Sequence, residues 1–307
     1  MKKYLVLLCL SLVSVPLLAC DICGSGAGGG YMGLLPGFRK HFVSFRYSQN
    51  SLLSHLGSGG SSTYLTTKER FQLLELWGAV NLGKRFRIAG FVPVNFMERQ
   101  NGLGHFKQNG LGDVSLIGYY QLFNRDQELK KTGRLLQSLW VGAGIKMPAG
   151  RYNPEEKNVQ DGAQNTFQLG TGSLDYSLNV MYDINLHNVG LNANLGYRLN
   201  NANKYDYRYG NKLTANILAY YKWQISDRYS IAPNAGVLYE SAAKDHKTSD
   251  IKVWETGGRS TMGTIGLEVS LGRIGLGMNY QTPLSQKLGE GKLKARDRGM
   301  AYLSFSF

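Results

Sequence analysis

The stretch "IGLGMNYQT", residues 274–282, decides the fold. Ile274, Leu276, Met278 and Tyr280 fall on one face of an extended chain, and Gly275, Gly277, Asn279 and Gln281 fall on the other. Successive side chains of a strand point to opposite faces, so this strand is greasy on one side and wet on the other. The pattern recurs in "VGLNANLGYRL", 189–199, where Leu191, Ala193, Leu195 and Tyr197 oppose Asn192, Asn194 and Arg198. In "LTANILAYYKW", 213–223, Ile217, Ala219, Tyr221 and Trp223 oppose Asn216, Tyr220 and Lys222. Marking such segments along the chain gives twelve, from 41–51 to 297–307, with 86–98, 113–123 and 166–185 among them.

Two global features turn many strands into one closed cylinder. Connections centred on "GKR", "NRDQELKKTGR", "LHN", "SDR" and "GR", all but the second short, alternate with mostly longer ones such as "SAAKDHKTSDIKVWETGG", the sorting that transmembrane barrels show and soluble sandwiches have no reason to adopt. An even strand number also returns both chain ends to one side. Hydrocarbon offers no partner to backbone N–H and C=O groups, so a sheet in lipid must close and leave no edge. The expectation is an all-β protein: a transmembrane antiparallel up-and-down β-barrel of about twelve strands. Tyr119, Tyr120, Trp140, Tyr220, Tyr221 and Trp223 are candidates for aromatic belts at headgroup level. The chain ends on "YLSFSF", with Leu303, Phe305 and Phe307 on the lipid side. That ending resembles the C-terminal signal read by barrel-assembly machinery, an expected partner through Phe307.

The opening "MKKYLVLLCLSLVSVPLLAC" has two lysines, an apolar run and a small residue at Ala19, the layout of a secretory signal peptide. The expected organisation is therefore a signal over 1–19, a Cys/Gly-rich periplasmic segment or plug over 20–40, and a barrel over 41–307. The location expected is the outer membrane of a Gram-negative bacterium, with both termini periplasmic. Without Lys2 and Lys3 the balance is 33 Lys+Arg against 21 Asp+Glu, net +12. An exported chain meets no genomic DNA, so the basic excess points to lipid headgroups and surface glycolipid rather than nucleic acid, or only to solvated loops.

Cys20 and Cys23 in "CDICGSGAGGG" leave three readings open: lipidation of Cys20, a disulfide in an oxidising compartment, or a soft metal such as Cu(I) held by two thiolates. No cofactor is otherwise expected. No enzyme is expected either, and no catalytic residue is assigned. The five histidines lack a serine two residues on, and G-x-S-x-G, H-E-x-x-H and a phosphate loop are all missing from the sequence.

"GLGDVSLIGYYQL" (110–122), "GTGSLDYSLNV" (170–180) and "IKMPAG" (145–150) resemble motifs of the MetA-pathway phenol-degradation transporter family, over roughly residues 70–307. The resemblance implies an outer-membrane barrel passing a small, hydrophobic or aromatic solute. Independently of it, Gly110 and Gly112 suit a tight start to a strand, and Gly170 with Gly172 a bulge. That bulge would turn Phe167 and Leu169 outward before it and Leu174, Tyr176 and Leu178 outward after it. Ser173, Asp175, Ser177, Asn179 and Asp183 would then be lumenal. Asp175, Asn179, Arg198 and Lys222 are the candidate solute contacts, although an inward carboxylate such as Asp175 is better suited to an ion pair with a lumenal Lys or Arg. The N-terminal segment is the candidate gate. A non-conducting binding or structural barrel is the alternative.

Overall fold

A computed structural model describes residues 41–102, 104–129, 133–154, 165–226, 228–247 and 251–307. Twelve antiparallel staves close into a barrel. They are β1 (Phe42–Ser54), β2 (Thr67–Leu82), β3 (Phe86–Asn101), β4 (Gly104–Leu111 continued by Val114–Leu129), β5 (Gly133–Met147) and β6 (Asp175–Leu186). The second half is β7 (Val189–Leu199), β8 (Lys212–Tyr221 continued by Trp223–Ser226), β9 (Tyr229–Ala242), β10 (Gly258–Leu271), β11 (Ile274–Leu288) and β12 (Arg298–Ser306). Each stave pairs with its neighbours in sequence, and β12 pairs with β1 from Phe42–Ser306 to Gln49–Gly299. The Phe307 amide donates to the His41 carbonyl at 2.9 Å and the two rings stack, which extends the seam by one pair beyond Phe42–Ser306.

The period-two pattern sets the sidedness. On β11 and β12, Ile274, Leu276, Met278, Tyr280, Leu303, Phe305 and Phe307 are exposed on the outer wall, while Gly275, Asn279, Gln281, Ser304 and Ser306 are buried inside. Exposed apolar side chains recur at alternate positions on every stave but β9's Pro233 region, which is consistent with lipid and not water outside. Among the described residues no helix is long and apolar enough to cross a membrane. Two-residue turns at His187–Asn188 and Gly272–Arg273 and the turn over 83–85 lie at the end that carries His41 and Phe307, the turn end. Longer connections over 55–66, 148–174, 200–211, 243–257 and 289–297 lie at the other, the loop end.

Three departures from the sequence reading concern the lumen. First, β3 and β4 run on past 98 and before 113, pairing as far as Asn101–Gly104, so "GHFKQNGL" is strand and not loop. Second, residues 165–174 are not the start of β6, which begins at Asp175. There is no outward-facing half and no bulge at Gly170 and Gly172. Phe167 and Leu169 are instead buried, packed on Leu52, Phe71, Met97, Leu288, Leu293 and Ala295 inside the loop end. Third, Tyr119 and Trp140 are not belt residues. They point inward and pack with Phe42, Trp77, Phe91, Ile117 and Met181 in a lumenal apolar cluster on β1 to β6. Tyr220 is likewise lumenal, whereas Tyr221 and Trp223 are exposed on the outer wall.

Candidate functional site: an inward-folded segment above a polar cavity

Residues 165–174 are folded inward at the loop end of the lumen, and Asp113 is the post they are tied to. Asp113 lies in the two-residue break between the two parts of β4 and is fully buried. Its Oδ2 accepts from Lys146 Nζ at 2.7 Å, Thr171 N at 2.9 Å and Thr171 Oγ1 at 2.8 Å, and its Oδ1 accepts from Gly150 N at 3.1 Å. One carboxylate thus joins all three stretches that carried the family resemblance. A buried carboxylate is stable only when its lone pairs are filled and a cation is near, and here both conditions hold.

The backbones meet so closely that side chains would not fit between them. A Cβ on Gly170 would lie 2.4 Å from Asp113 Oδ1 and 2.6 Å from the Gly150 carbonyl. Other contacts fix the rest of the segment. Asn95 Nδ2 donates to the Leu169 carbonyl at 3.0 Å, and Asn203 Nδ2 to the Thr171 carbonyl at 2.9 Å. Thr166 Oγ1 donates to Glu69 Oε2 at 3.0 Å, and the Arg99 guanidinium, paired to Glu69 at 2.8 Å, lies 4.4 Å from the Phe167 ring centre. Tyr152, in the same connection, takes a hydrogen bond from Asn165 Nδ2 at 2.6 Å, and burial raises its phenol above the ordinary value.

Asp175 is fully buried, with Oδ2 2.6 Å from Lys146 Nζ and Oδ1 accepting from Asn201 N at 2.9 Å. Lys146 is therefore held between Asp113 and Asp175. Asn179 donates to Ser177 Oγ at 3.2 Å and, with Arg198, Asn194 and Lys212, lines a cavity of about 60 Å³. Lys222 lies elsewhere, on a cavity of about 520 Å³ toward the turn end, with Asp183, Asn192, Tyr220, Glu268 and Tyr302. Asp175, Asn179 and Arg198 are thus neighbours, through Lys146, and Lys222 is not with them. Other lumenal charges also pair between staves: Arg46 with Glu75, and Glu240 with both Lys212 at 3.2 Å and Arg298 at 2.7 Å.

Sequence reasoning missed Asp113, although "GLGD" placed a lone acid directly beside a lumenal stave. Its odd number shares the parity of Ser115, Ile117 and Tyr119, and Lys146 has the inward parity on the next stave. Among the described residues no group of three His, Cys, Asp or Glu could hold a metal ion. Cys20, Cys23 and the candidate gate over 20–40 lie outside the described residues.

No protein-family model matches the chain, and no curated protein does. Among solved structures, an outer membrane channel from Pseudomonas putida F1 is similar at 16% identity and TM-score 0.61, over 90% of this chain and 100% of that one. The transport unit of the autotransporter AIDA-I from Escherichia coli is more distant, at 12% identity and TM-score 0.45 over 90% and 93%. The β domain of the Bordetella autotransporter BrkA is similar at 11% identity and TM-score 0.44 over 87% and 99%. The first of these likenesses shows that the fold is that of an outer-membrane barrel.

Proposed function

We propose that this chain is an outer-membrane barrel that lets a small solute cross, with residues 165–174 as the closing element. The observation that carries the reading is the division of the lumen. Its loop end is filled by a segment tied to Asp113, and its turn end holds a cavity of about 520 Å³. A merely structural barrel has no need to keep that volume open beneath a separately fastened stopper. The termini, and with them the turn end, face the periplasm in this reading.

The resemblance implies a hydrophobic or aromatic solute. The lining favours one that also forms hydrogen bonds, since Asp183, Asn185, Asn192, Tyr220, Lys222 and Glu268 all reach the cavity. No enzymatic role is proposed.

The non-conducting alternative draws on the apolar cluster of Trp77, Phe91, Ile117, Tyr119 and Trp140, which is buried on the lumenal side of β2 to β5. Conductance in planar bilayers separates the two. Deleting 165–174 should convert rare, small current steps into frequent ones, and Lys222→Glu in that background should shift selectivity toward cations. A deletion variant that inserts and stays silent would leave the non-conducting reading. Mass measurement of the mature N-terminus, with metal analysis, decides between lipid, disulfide and metal at Cys20 and Cys23.

A further inference from the structure

The outer wall at the loop end carries a row of cations that the solute path does not use. Strand register sets Arg259 opposite Lys287, Lys294 opposite Leu53, and Leu53 opposite Lys68. The Leu288–Leu293 bridge brings Lys287 beside Lys294. Arg259, Lys287, Lys294 and Lys68 therefore follow one another laterally across five adjoining chain segments, about 19 Å of wall at the usual inter-strand spacing, interrupted only by Leu53. All four are exposed, and each is flanked in sequence by an inward-facing residue, so they point outward. None belongs to an ion pair among the described residues. Arg70, one row nearer the membrane and opposite Ser51, stands across from Glu98 on the next stave and is not part of the row.

Below this row the wall is indented. Gly299 and Ala301 are the first two outward residues of β12, before Leu303 and Phe305, and a Cβ on Gly299 would meet nothing within 4 Å. Gly299 lies between Tyr280 and Gln49, and Ala301 between Met278 and Tyr47, all on neighbouring staves. The Met278 side chain stands 62% exposed. A furrow floored by Gly299 and Ala301, with Met278 and Tyr280 on one bank and Tyr47 on the other, thus runs into the apolar band; at its loop-ward head, below the cation row, stands the Asp297 carboxylate, which accepts from Thr282 Oγ1 at 2.8 Å.

An anion site above an apolar channel fits an amphiphile with phosphate on its head and hydrocarbon behind it. We propose that β10 to β2 form a binding site for a phosphorylated lipid of the loop-side leaflet. Its phosphates sit on Lys287, Lys294 and Lys68, and one acyl chain lies along Gly299 and Ala301. The proposal rests on the membrane-embedded reading of the barrel and is independent of solute passage.

The test uses the full chain in mixed micelles holding equal amounts of phosphatidylcholine and diphosphorylated lipid A, with retained lipid counted by native mass spectrometry. The wild type should retain lipid A. At roughly tenfold or less per cation removed near a charged surface, the Lys68→Ser/Lys287→Ser/Lys294→Ser variant should retain about 100-fold less. Gly299→Leu should also reduce retention, by filling the furrow. A turn-end control, Lys84→Ser/Arg85→Ser/Arg228→Ser, should retain it as the wild type does, and excess inorganic phosphate should not displace it. Undiminished retention by the loop-end triple variant, or equal retention of phosphatidylcholine by the wild type, would overturn the site. Undiminished retention by Gly299→Leu would overturn its acyl half. Heat-modifiable migration confirms folding of each variant. Failure of the wild type to insert into phosphatidylcholine liposomes would strike at the membrane reading instead.

Discussion

Loosening the segment at two separate anchors should open the lumen, and the expected size of the effect can be worked from the contacts. Asp113→Asn keeps the shape but removes the charge that Lys146, Thr171 and Gly150 address. Removing one partner of a buried ion pair costs roughly 3–5 kcal/mol. Lys146 keeps Asp175 at 2.6 Å, so about 2–3 kcal/mol is the better expectation. Leu169→Ala removes a side chain that is 4% exposed within the apolar cluster at the loop end, at a cost of about 2–4 kcal/mol.

Each loss falls mainly on attachment of the segment, because the stave-to-stave hydrogen bonds of the barrel are untouched. At 1.4 kcal/mol per tenfold, each substitution should raise the open fraction by a factor of roughly 30 or more. The two anchors are distinct side chains, one polar and one apolar, so the double variant should show roughly the product, on the order of 10³. Single-channel recording in planar bilayers reads the open fraction directly, with heat-modifiable mobility as the control for folding. A folded double variant with wild-type current would refute the claim that 165–174 closes the path. A double effect no larger than either single effect would refute the idea that both anchors hold one and the same closed state.

Gly170→Val should open the same path by collision, since even its Cβ would sit 2.4 Å from Asp113 Oδ1; overpacking of this kind costs about 1–3 kcal/mol, read as increased conductance and as protease cleavage near 165–174. Glu240→Ala should lower barrel stability by about 3–5 kcal/mol in urea titrations from micelles, because Lys212 and Arg298 would both lose the same buried counter-charge. Deleting Phe307 should leave the registers of the eleven other seams intact while slowing closure between β1 and β12, measured as delayed appearance of the heat-modifiable form; unchanged kinetics would remove its role at the seam.

The wall was legible in the sequence because lipid outside and water-facing groups inside impose opposite preferences on alternate residues. Leu276 and Asn279, or Ile217 and Asn216, announce their sides by chemistry alone. The lumen was harder to read for the same reason. Phe167 and Leu169 alternate with Thr166 and Gln168 as a lipid-facing strand would, and period two does not tell hydrocarbon outside from a packed apolar cluster inside. Trp140 and Tyr119 misled likewise, since an aromatic near a stave end satisfies a headgroup belt and a lumenal core equally well. The candidate contacts Asp175, Asn179, Arg198 and Lys222 have the inward parity expected of them, but parity carries no height along the axis, so the separation of Lys222 from the others needed coordinates. Asp113 was hidden by its setting, because "GLGD" reads as the run-up to a strand until Thr171 and Gly150 are seen to converge on it.

The contact between His41 and Phe307 makes the junction of first and last staves chemically equivalent to any other pair of neighbours. Such a molecule should tolerate circular permutation: a short linker joining those two residues, with new ends cut at Gly272–Arg273, preserves every pairing in the cylinder. The rearranged chain would no longer finish on Phe307. Refolding of such a permutant in detergent would show that closure of the wall does not depend on where the chain is cut, and failure to refold would refute that.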